Sequence, residues 1–150
     1  MPGNNLPLYA KNALNSMGGN GSAAVSATIT AAANDFTGAG ANNVLVMTAD
    51  ASAGATGTFL LGFMVKATGT NVPSVARLFL NNSSTNATAT NNTFIDEMPL
   101  PTTTAAAAGG TGPTIFWPYN KVVQPGFRMY IGLGTAVTGG WQFTPIYGDF

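Results

Sequence analysis

The most informative stretch of the sequence reads GTFLLGFMVK and occupies residues 57–66. Over part of its length it is apolar at consecutive positions, so both faces of an extended strand would be apolar. Such a strand is typical of the centre of a sheet, or of a position against a partner. We therefore expect this segment to be a strand in one of these two environments.

Shorter strand signals repeat on both sides of this stretch, separated by clusters of Gly, Asn, Pro and Thr. This spacing is typical of an all-β sandwich or barrel, and about eight candidates match the number that a jelly roll uses. The Ala-rich runs are too short to form stable helices on their own. We predict an all-β fold, an antiparallel β-sandwich of jelly-roll type, with strands at residues 24–30, 43–47, 57–66, 74–80, 93–100, 114–117, 127–133 and 141–148.

Three connections between these strands have distinct signals. The polar low-complexity segment 81–92 indicates a surface hairpin connection. Pro99 and Pro101 are expected to end a strand ladder, because proline has no backbone N–H to donate. Pro125-Gly126 has the order that a type II turn prefers.

The first 22 residues differ from the rest of the chain. Their apolar positions are scattered, and they end in the glycine-rich segment 18–22, which is flexible by composition. We predict an N-terminal arm at residues 1–22, with a disordered tail as the alternative, and one jelly-roll domain at residues 23–150. The arm is expected to be extended, with a helical turn around residues 7–15.

Charge is scarce. Only 7% of the residues are charged and the formal net charge is zero, whereas an average soluble domain has about 25% charged residues. No basic face is available for a phosphate backbone, so we expect no nucleic-acid partner. A polar surface of Asn, Thr and Ser is typical of permanent contact with neighbours, and a net charge near zero gives little protection against association.

The chain contains no His and no Cys. The common nucleophile–base pairs, disulfides and thiolate zinc sites therefore cannot be built. A Ser–Lys arrangement using Lys11, Lys66 or Lys121 is formally possible, but no motif accompanies these residues. We predict that the protein is not an enzyme, and we assign no catalytic, cofactor-binding or metal-binding residue.

Asp96-Glu97 is the one adjacent acidic pair. Neighbouring residues of a strand point to opposite faces, so the two carboxylates cannot act together on a substrate. We expect one of them to face solvent and the other to pair with Arg77 or Arg128. The remaining acidic residues are too sparse to indicate a calcium site.

The large aromatic residues of the last third have two interpretations. They fill the core and the ends of the sandwich, which is the usual role of such residues, or they form a stacking platform for sugars. The residues concerned are Trp117, Tyr119, Trp141 and Tyr147.

The amino terminus, MPGNN, lacks the basic and apolar regions of a signal peptide, so synthesis in a host cytoplasm is expected. The apolar run at residues 59–65 is far shorter than the roughly 20 residues of a membrane helix. We therefore expect a soluble protein that does not span or bind a membrane.

The carboxy-terminal part, from Thr93 to Phe150, resembles the small jelly-roll decoration proteins of tailed bacteriophages. The resemblance lies in the Pro-Leu-Pro corner of IDEMPLP at residues 95–101, the Thr/Ala-rich linker 102–111 and the Pro-Gly turn of QPGFRMYI at residues 124–131. It continues through a Thr-Ala loop to the final YGDF at residues 147–150. The strand 77–80 matches more loosely, and the arm is not part of the pattern.

The resemblance implies a cement protein on the outer surface of a phage capsid, often a homotrimer, that bridges neighbouring major capsid protein subunits. It transfers no individual functional residue, because such proteins act through broad surfaces. An alternative is a carbohydrate-binding head-fibre or tail component, which would use Trp117 and Trp141. A surface-lattice protein of a cell or a jelly-roll coat subunit is a variant of the first interpretation, although the arm lacks the basic segment that coat subunits commonly have.

Overall fold

The computed structural model of the protein describes residues 23–24, 27–106, 112 and 114–149. Nine strands and one 3-10 turn lie in this part of the chain, and the predicted N-terminal arm at residues 1–22 lies outside it. The strands are β1 (Ala23–Ala24), β2 (Ala27–Ile29), β3 (Val44–Thr48), β4 (Thr58–Ala67), β5 (Ser74–Asn81), β6 (Asn92–Leu100), β7 (Ile115–Val123), β8 (Arg128–Leu133) and β9 (Trp141–Asp149).

The strands form two antiparallel sheets, one of five strands in the order β1-β3-β8-β5-β6 and one of four strands in the order β2-β9-β4-β7. Without β1, the sandwich has eight strands, β2 to β9. If these are numbered one to eight in chain order, the first sheet has the order two, seven, four, five (β3-β8-β5-β6). The other sheet combines the first, eighth, third and sixth. This is the jelly-roll arrangement, so the predicted fold class is confirmed.

Most of the predicted strands are found within a few residues of their expected ends, but three predictions were wrong in detail. The strand predicted at residues 24–30 consists of β1, which pairs with β3, and β2, which pairs with β9. The strand predicted at residues 114–117 continues to Val123 as β7. Pro99 does not end its ladder, since Pro99 lies opposite Val75 and the next residue, Leu100, still pairs with Ser74.

Proline is tolerated within β6 and β7 because both strands lie at sheet edges. Each of them pairs with one described strand, so a proline nitrogen can face the open side without removing a ladder hydrogen bond. Pro118 is accommodated within β7 in this way. The predicted polar connection is confirmed, since segment 82–91 joins β5 to β6 and contains a 3-10 turn. The predicted turn at Pro125-Gly126 is also confirmed, because Phe127 N donates to Gln124 O (3.1 Å) and the φ of Gly126 is 77°.

The stretch at residues 57–66 forms most of β4, which lies between β9 and β7, so its predicted central position is confirmed. Leu60, Phe63 and Val65 are fully buried and face the other sheet. Met64 faces outward and is partly exposed. Fully burying an apolar side chain of this size stabilises the fold by about 1.5–3 kcal/mol, and the inner faces of both sheets contribute such residues. The largest core side chains are Trp117, Trp141, Tyr147, Phe63 and Phe143.

One loop, residues 30–43 between β2 and β3, folds over the outer face of the five-stranded sheet. Ala33 N donates to Leu133 O at 2.9 Å, and Asn86 Nδ2 donates to Gly38 O at 2.7 Å. Gly38 lies directly on the ring of Phe79, which is fully buried on this outer face. We call this segment the covering loop.

At one end of the sandwich, the buried side chain of Asn71 joins three connections. Asn71 Nδ2 donates to Thr103 Oγ1 (3.0 Å) and Gly140 O (3.1 Å), while Asn71 Oδ1 accepts from the N–H groups of Gly139 (3.0 Å) and Gly140 (2.9 Å). Buried polar groups are stable only when they are hydrogen-bonded in this way. Asn71 therefore holds these loops in fixed positions relative to the sheets.

Candidate interaction surfaces

Two groups of exposed apolar side chains lie on the outer faces of the sandwich, and Val72 lies apart from both. The described residues contain no ligand-sized cavity, no cluster of three or more His, Cys, Asp and Glu side chains, and no helix long and apolar enough to cross a membrane. The exposed large apolar residues are Phe36, Met64, Val72, Phe94, Phe116 and Val122.

The first group lies on the outer face of the four-stranded sheet, on strands β4 and β7. Met64 is directly opposite Phe116 in the antiparallel pair, and Val122 is opposite Phe59. Residues opposite each other share one face of a sheet. Met64, Phe116 and Val122 are 38%, 42% and 51% exposed. We call these three residues the apolar strip.

The position of Phe116 depends on a glycine in the neighbouring strand. A Cβ atom at Gly62 would lie 2.9 Å from Phe116 Cζ and 3.0 Å from Pro118 Cα, and it would also collide with the carbonyl oxygen of Trp117. Gly62 lies at the irregularity where the register between β4 and β7 shifts. The missing side chain lets β7 and the Phe116 ring lie close against β4.

Of the two lysines of this sheet, Lys66 shares the outer face with Met64, whereas Lys121 lies opposite the buried Leu60, on the core-facing side of edge strand β7. Lys66 Nζ donates to the carbonyl oxygen of Gly112 at 2.5 Å, and Lys121 Nζ is 5.8 Å from the centroid of the Tyr119 ring. Within the four described strands of this sheet the acidic residue is Asp149, which is fully buried and accepts a hydrogen bond from Thr58 Oγ1 at 2.7 Å. Among the described strands of this sheet, Lys66 is therefore the one charged residue on the outer face.

The second group lies on the outer side of the five-stranded sheet, where the covering loop meets β6. Phe36 is 63% exposed, the largest value among the apolar residues named above. Its ring makes an edge-on contact with Phe94 at 5.9 Å between centroids, and the guanidinium of Arg77 lies 3.9 Å from the ring centroid. This is a cation–π distance. We call Phe36, Phe94 and Arg77 the Phe36 cluster.

Asp35 fixes the loop that presents Phe36. Its carboxylate accepts hydrogen bonds from the backbone N–H groups of Thr37 (2.8 Å), Gly38 (2.6 Å) and Gly40 (3.0 Å), and from the side chain of Asn43 (2.9 Å). Partial burial acts to raise the pKa of Asp35, but these hydrogen bonds outweigh it and the pKa lies below its ordinary value. An ionised Asp35 therefore closes the loop on itself and holds Phe36 at the surface.

The acidic pair Asp96-Glu97 is divided between the two faces of β6. Glu97 Oε2 lies 3.6 Å from Arg77 Nε, so the predicted pairing of the acidic pair with Arg77 is confirmed for Glu97. Asp96 is exposed, and its Oδ2 also accepts a hydrogen bond from Trp117 Nε1 at 3.0 Å. Asp96 lies opposite the core residue Leu78, so it is on the core-facing side of β6 and not on the outer face. On the outer face, Asp35 and Glu97 are balanced by Arg77 and by Arg128, which lies opposite Asn81.

The large aromatic residues of the last third are mostly in the interior. Trp117, Trp141 and Tyr147 are buried and belong to the core. Tyr119 is half-buried and packs against the core, and burial raises the pKa of its hydroxyl. The residues that reach the surface instead, Phe36 and Phe94 among them, were not singled out from the sequence. An isolated Phe in the polar loop NDFTGAGANN, residues 34–43, was the available signal.

Comparisons of the chain with protein-family models, with curated protein sequences and with solved structures returned no match. Function is therefore inferred from the described surfaces and from the resemblance of residues 93–150.

Proposed function

We propose that this protein is a structural component of a bacteriophage virion, which binds the outer surface of the head and cements neighbouring major capsid protein subunits. The observation that supports this best is the apolar strip, because its three members are exposed on the same outer sheet face, with Met64 directly opposite Phe116. Contiguous exposed apolar side chains with a polar margin are typical of protein–protein contact. In this proposal the protein works by surface contact and performs no catalysis.

The strength of such a contact can be estimated. Fully burying a Phe, Met or Val side chain contributes about 1.5–3 kcal/mol, so half-exposed side chains leave roughly 1 kcal/mol each to be gained at an interface. One copy would therefore bind weakly through this strip alone. A cement protein is present in many copies, and linked copies convert weak contacts into high avidity.

The composition of the edge strands favours association through the outer faces of the sheets. An open edge strand can recruit another strand by backbone hydrogen bonding, and prolines prevent this. Edge strand β6 contains Pro99, and edge strand β7 contains Pro118 as well as Asn120, whose φ of 54° interrupts the extended backbone. Assembly through outer faces is thus more consistent with these strands than addition of a strand.

The assignment to a phage head rests on the resemblance of residues 93–150 to decoration proteins. In that proposal the partners are the major capsid protein and other copies of the chain, and the protein lies on the outside of the capsid. No observation favours the carbohydrate-binding alternative, since the indoles of Trp117 and Trp141 that suggested it are buried.

Quantitative mass spectrometry of purified particles tests the proposal. The expected result is a copy number of the same order as that of the major capsid protein, because a cement occupies sites over the whole shell. A copy number of only a few per particle, or absence from the particle, would contradict it. Purified protein that is added to particles lacking it should sediment together with those particles.

A further inference from the structure

The outer face of the four-stranded sheet is apolar beyond the three members of the apolar strip. Pro118 of β7 and Ile146 of β9 both pair with Gly62 of β4, and each lies between residues that face the core. Their side chains therefore point outward. Pro118 is exposed and Ile146 is partly exposed. Lys66 is the one charged residue on this face within the described strands.

The outer face of the five-stranded sheet has a different character, because it carries ionised side chains and the covering loop. Asp35, Arg77, Glu97 and Arg128 lie on that side. A close contact there would have to bury several charges, which is costly unless each one finds a partner. The face of the four-stranded sheet is thus better suited to direct contact between copies.

We infer that two copies of the chain pack the outer faces of their four-stranded sheets against each other about a two-fold axis. Sheets that pack face to face lie about 10 Å apart, and their side chains interdigitate. In a two-fold contact the same surface meets itself, so the chain needs no second, different patch. The inference deepens the proposed function, because it names the partner of the surface on which that function rests.

The position of Lys66 selects the direction of the axis. Lys66 lies near one end of β4, whereas Val122 lies opposite Phe59 near the other end. An axis along the strands would bring the lysines of both copies to the same end of the interface. An axis across the strands places them at opposite ends, about 25 Å apart, which is well beyond the Debye length of about 8 Å.

The axis across the strands therefore avoids repulsion between the two lysines. It also places Lys66 of each copy near Val122 of the other copy. There the aliphatic part of the lysine side chain can pack on apolar surface while the ammonium group reaches solvent. The single charge of the face is thus compatible with a two-fold contact.

The area of the face indicates a weak dimer. Strands β9, β4 and β7 are nine, ten and nine residues long. At about 4.8 Å between strands and 3.3 Å per residue they cover roughly 400 Å², so two copies would bury about 800 Å² or more. Stable specific interfaces bury about 1,200–2,000 Å² in total. We expect a dissociation constant of about 10–100 µM, which suits identical copies held close together on one particle.

A charge placed at position 122 tests this geometry. Val122→Lys adds a positive charge next to Lys66 of the other copy, and the double variant Val122→Lys, Lys66→Glu replaces that repulsion by an attraction. Within one copy the two positions lie near opposite ends of the strip, so the second change acts between copies. Val72→Lys is the matched control, because Val72 is 53% exposed, close to the 51% of Val122, and lies in the connection from β4 to β5.

Sedimentation equilibrium measures the dimerisation of each variant, over concentrations that extend about tenfold to either side of the expected dissociation constant. The wild-type protein and Val72→Lys are expected to form the same dimer. Val122→Lys should weaken dimerisation at least tenfold, and the double variant should return it to within about threefold of the wild type. Val122→Asp should weaken it less than Val122→Lys, because its carboxylate would lie near the lysine of the other copy.

Three results would overturn the inference. They are a wild-type protein that stays monomeric over the whole range, a trimer in place of a dimer, and a double variant that dimerises no better than Val122→Lys. Unchanged circular dichroism shows that each variant is folded. If Val122→Lys is not, Phe116→Ser replaces it, and dimerisation that Phe116→Ser leaves unchanged would overturn the inference equally.

Binding to particles that lack the protein separates this inference from the proposed function. A wild-type monomer that binds particles, and loses this binding in Val122→Lys, would assign the strip to the capsid protein and contradict the contact between copies. A dimer that binds no particle would leave the contact between copies standing and contradict the proposed function.

Discussion

The two outer faces of this sandwich differ in how far their phenylalanine side chains are covered. On the five-stranded sheet, the covering loop lies over Phe79 and buries it completely. On the four-stranded sheet, Phe116 occupies a comparable outward position and remains 42% exposed. Both side chains are phenylalanines on outer faces, but among the described residues a loop covers Phe79 and none covers Phe116. In the proposed function the open position is the one that contacts a partner.

The largest expected effect compares these two phenylalanines directly. Phe79→Ala should destabilise the protein by about 3–5 kcal/mol, because it leaves a cavity beneath the covering loop. Phe116→Ala should cost only about 1 kcal/mol, since much of that ring is already in water. Urea denaturation of both variants measures the difference. Equal losses of stability would show that the two faces do not differ as described.

The next effect concerns the fit of the covering loop. Gly38 has a φ of 72°, and a Cβ atom there would lie 2.9 Å from the Phe79 ring. Gly38→Ala should therefore cost about 2–3 kcal/mol through backbone strain and collision together. Gly54 has a φ of 85° with no atom within 4 Å of the same Cβ position, so Gly54→Ala reports the strain alone, about 1 kcal/mol. Thermal unfolding that ranks the two variants in the opposite order would contradict the close packing of the loop.

A smaller effect is expected from acid. The pKa of Asp35 is lowered in the folded protein, so its ionised form stabilises the fold above the ordinary aspartate pKa, and this contribution is lost as pH falls through the folded-state pKa. Asp35→Asn should remove roughly 1–2 kcal/mol of stability at pH 7, because hydrogen bonds to a charged acceptor are lost. Unfolding midpoints measured between pH 7 and pH 2.5 should converge for the two proteins at the acid end. A constant difference over that range would exclude this role of Asp35.

The smallest effect on stability is expected on the uncovered face itself. Val122→Asp and Val72→Asp both replace half-exposed side chains, so each should change the free energy of unfolding by less than about 0.5 kcal/mol. The two variants should differ in assembly and not in folding. A clear loss of stability in Val122→Asp alone would indicate that the strip supports the fold of the monomer.

Much of the fold could be predicted from local patterns. Alternating apolar residues located nearly all strands, and the uninterrupted apolar character of the 57–66 stretch indicated the central position of β4. The errors concern features that depend on neighbours. Whether Pro99 ends a strand depends on its being at a sheet edge, and whether residues 24–30 form one strand depends on which sheet each half joins.

The surfaces were harder to predict for the same reason. Outward Met64 and inward Phe63 are adjacent apolar residues, and a register of pairing with β7 is needed to tell them apart. Phe36 is separated from Arg77 and Phe94 by about 40 residues or more of chain, and contacts over such separations have no local sequence period.

Hydroxyl-radical footprinting of Met64 tests the central claim, that the uncovered face of the four-stranded sheet is an interface, most directly. The free protein at nanomolar concentration and the assembled protein on particles are exposed to the same radical dose, and oxidation of Met64, Phe116 and Val72 is quantified by mass spectrometry. We expect Met64 and Phe116 to become severalfold less reactive on assembly while Val72 stays unchanged. Equal reactivity of Met64 in the free and assembled states would contradict the account.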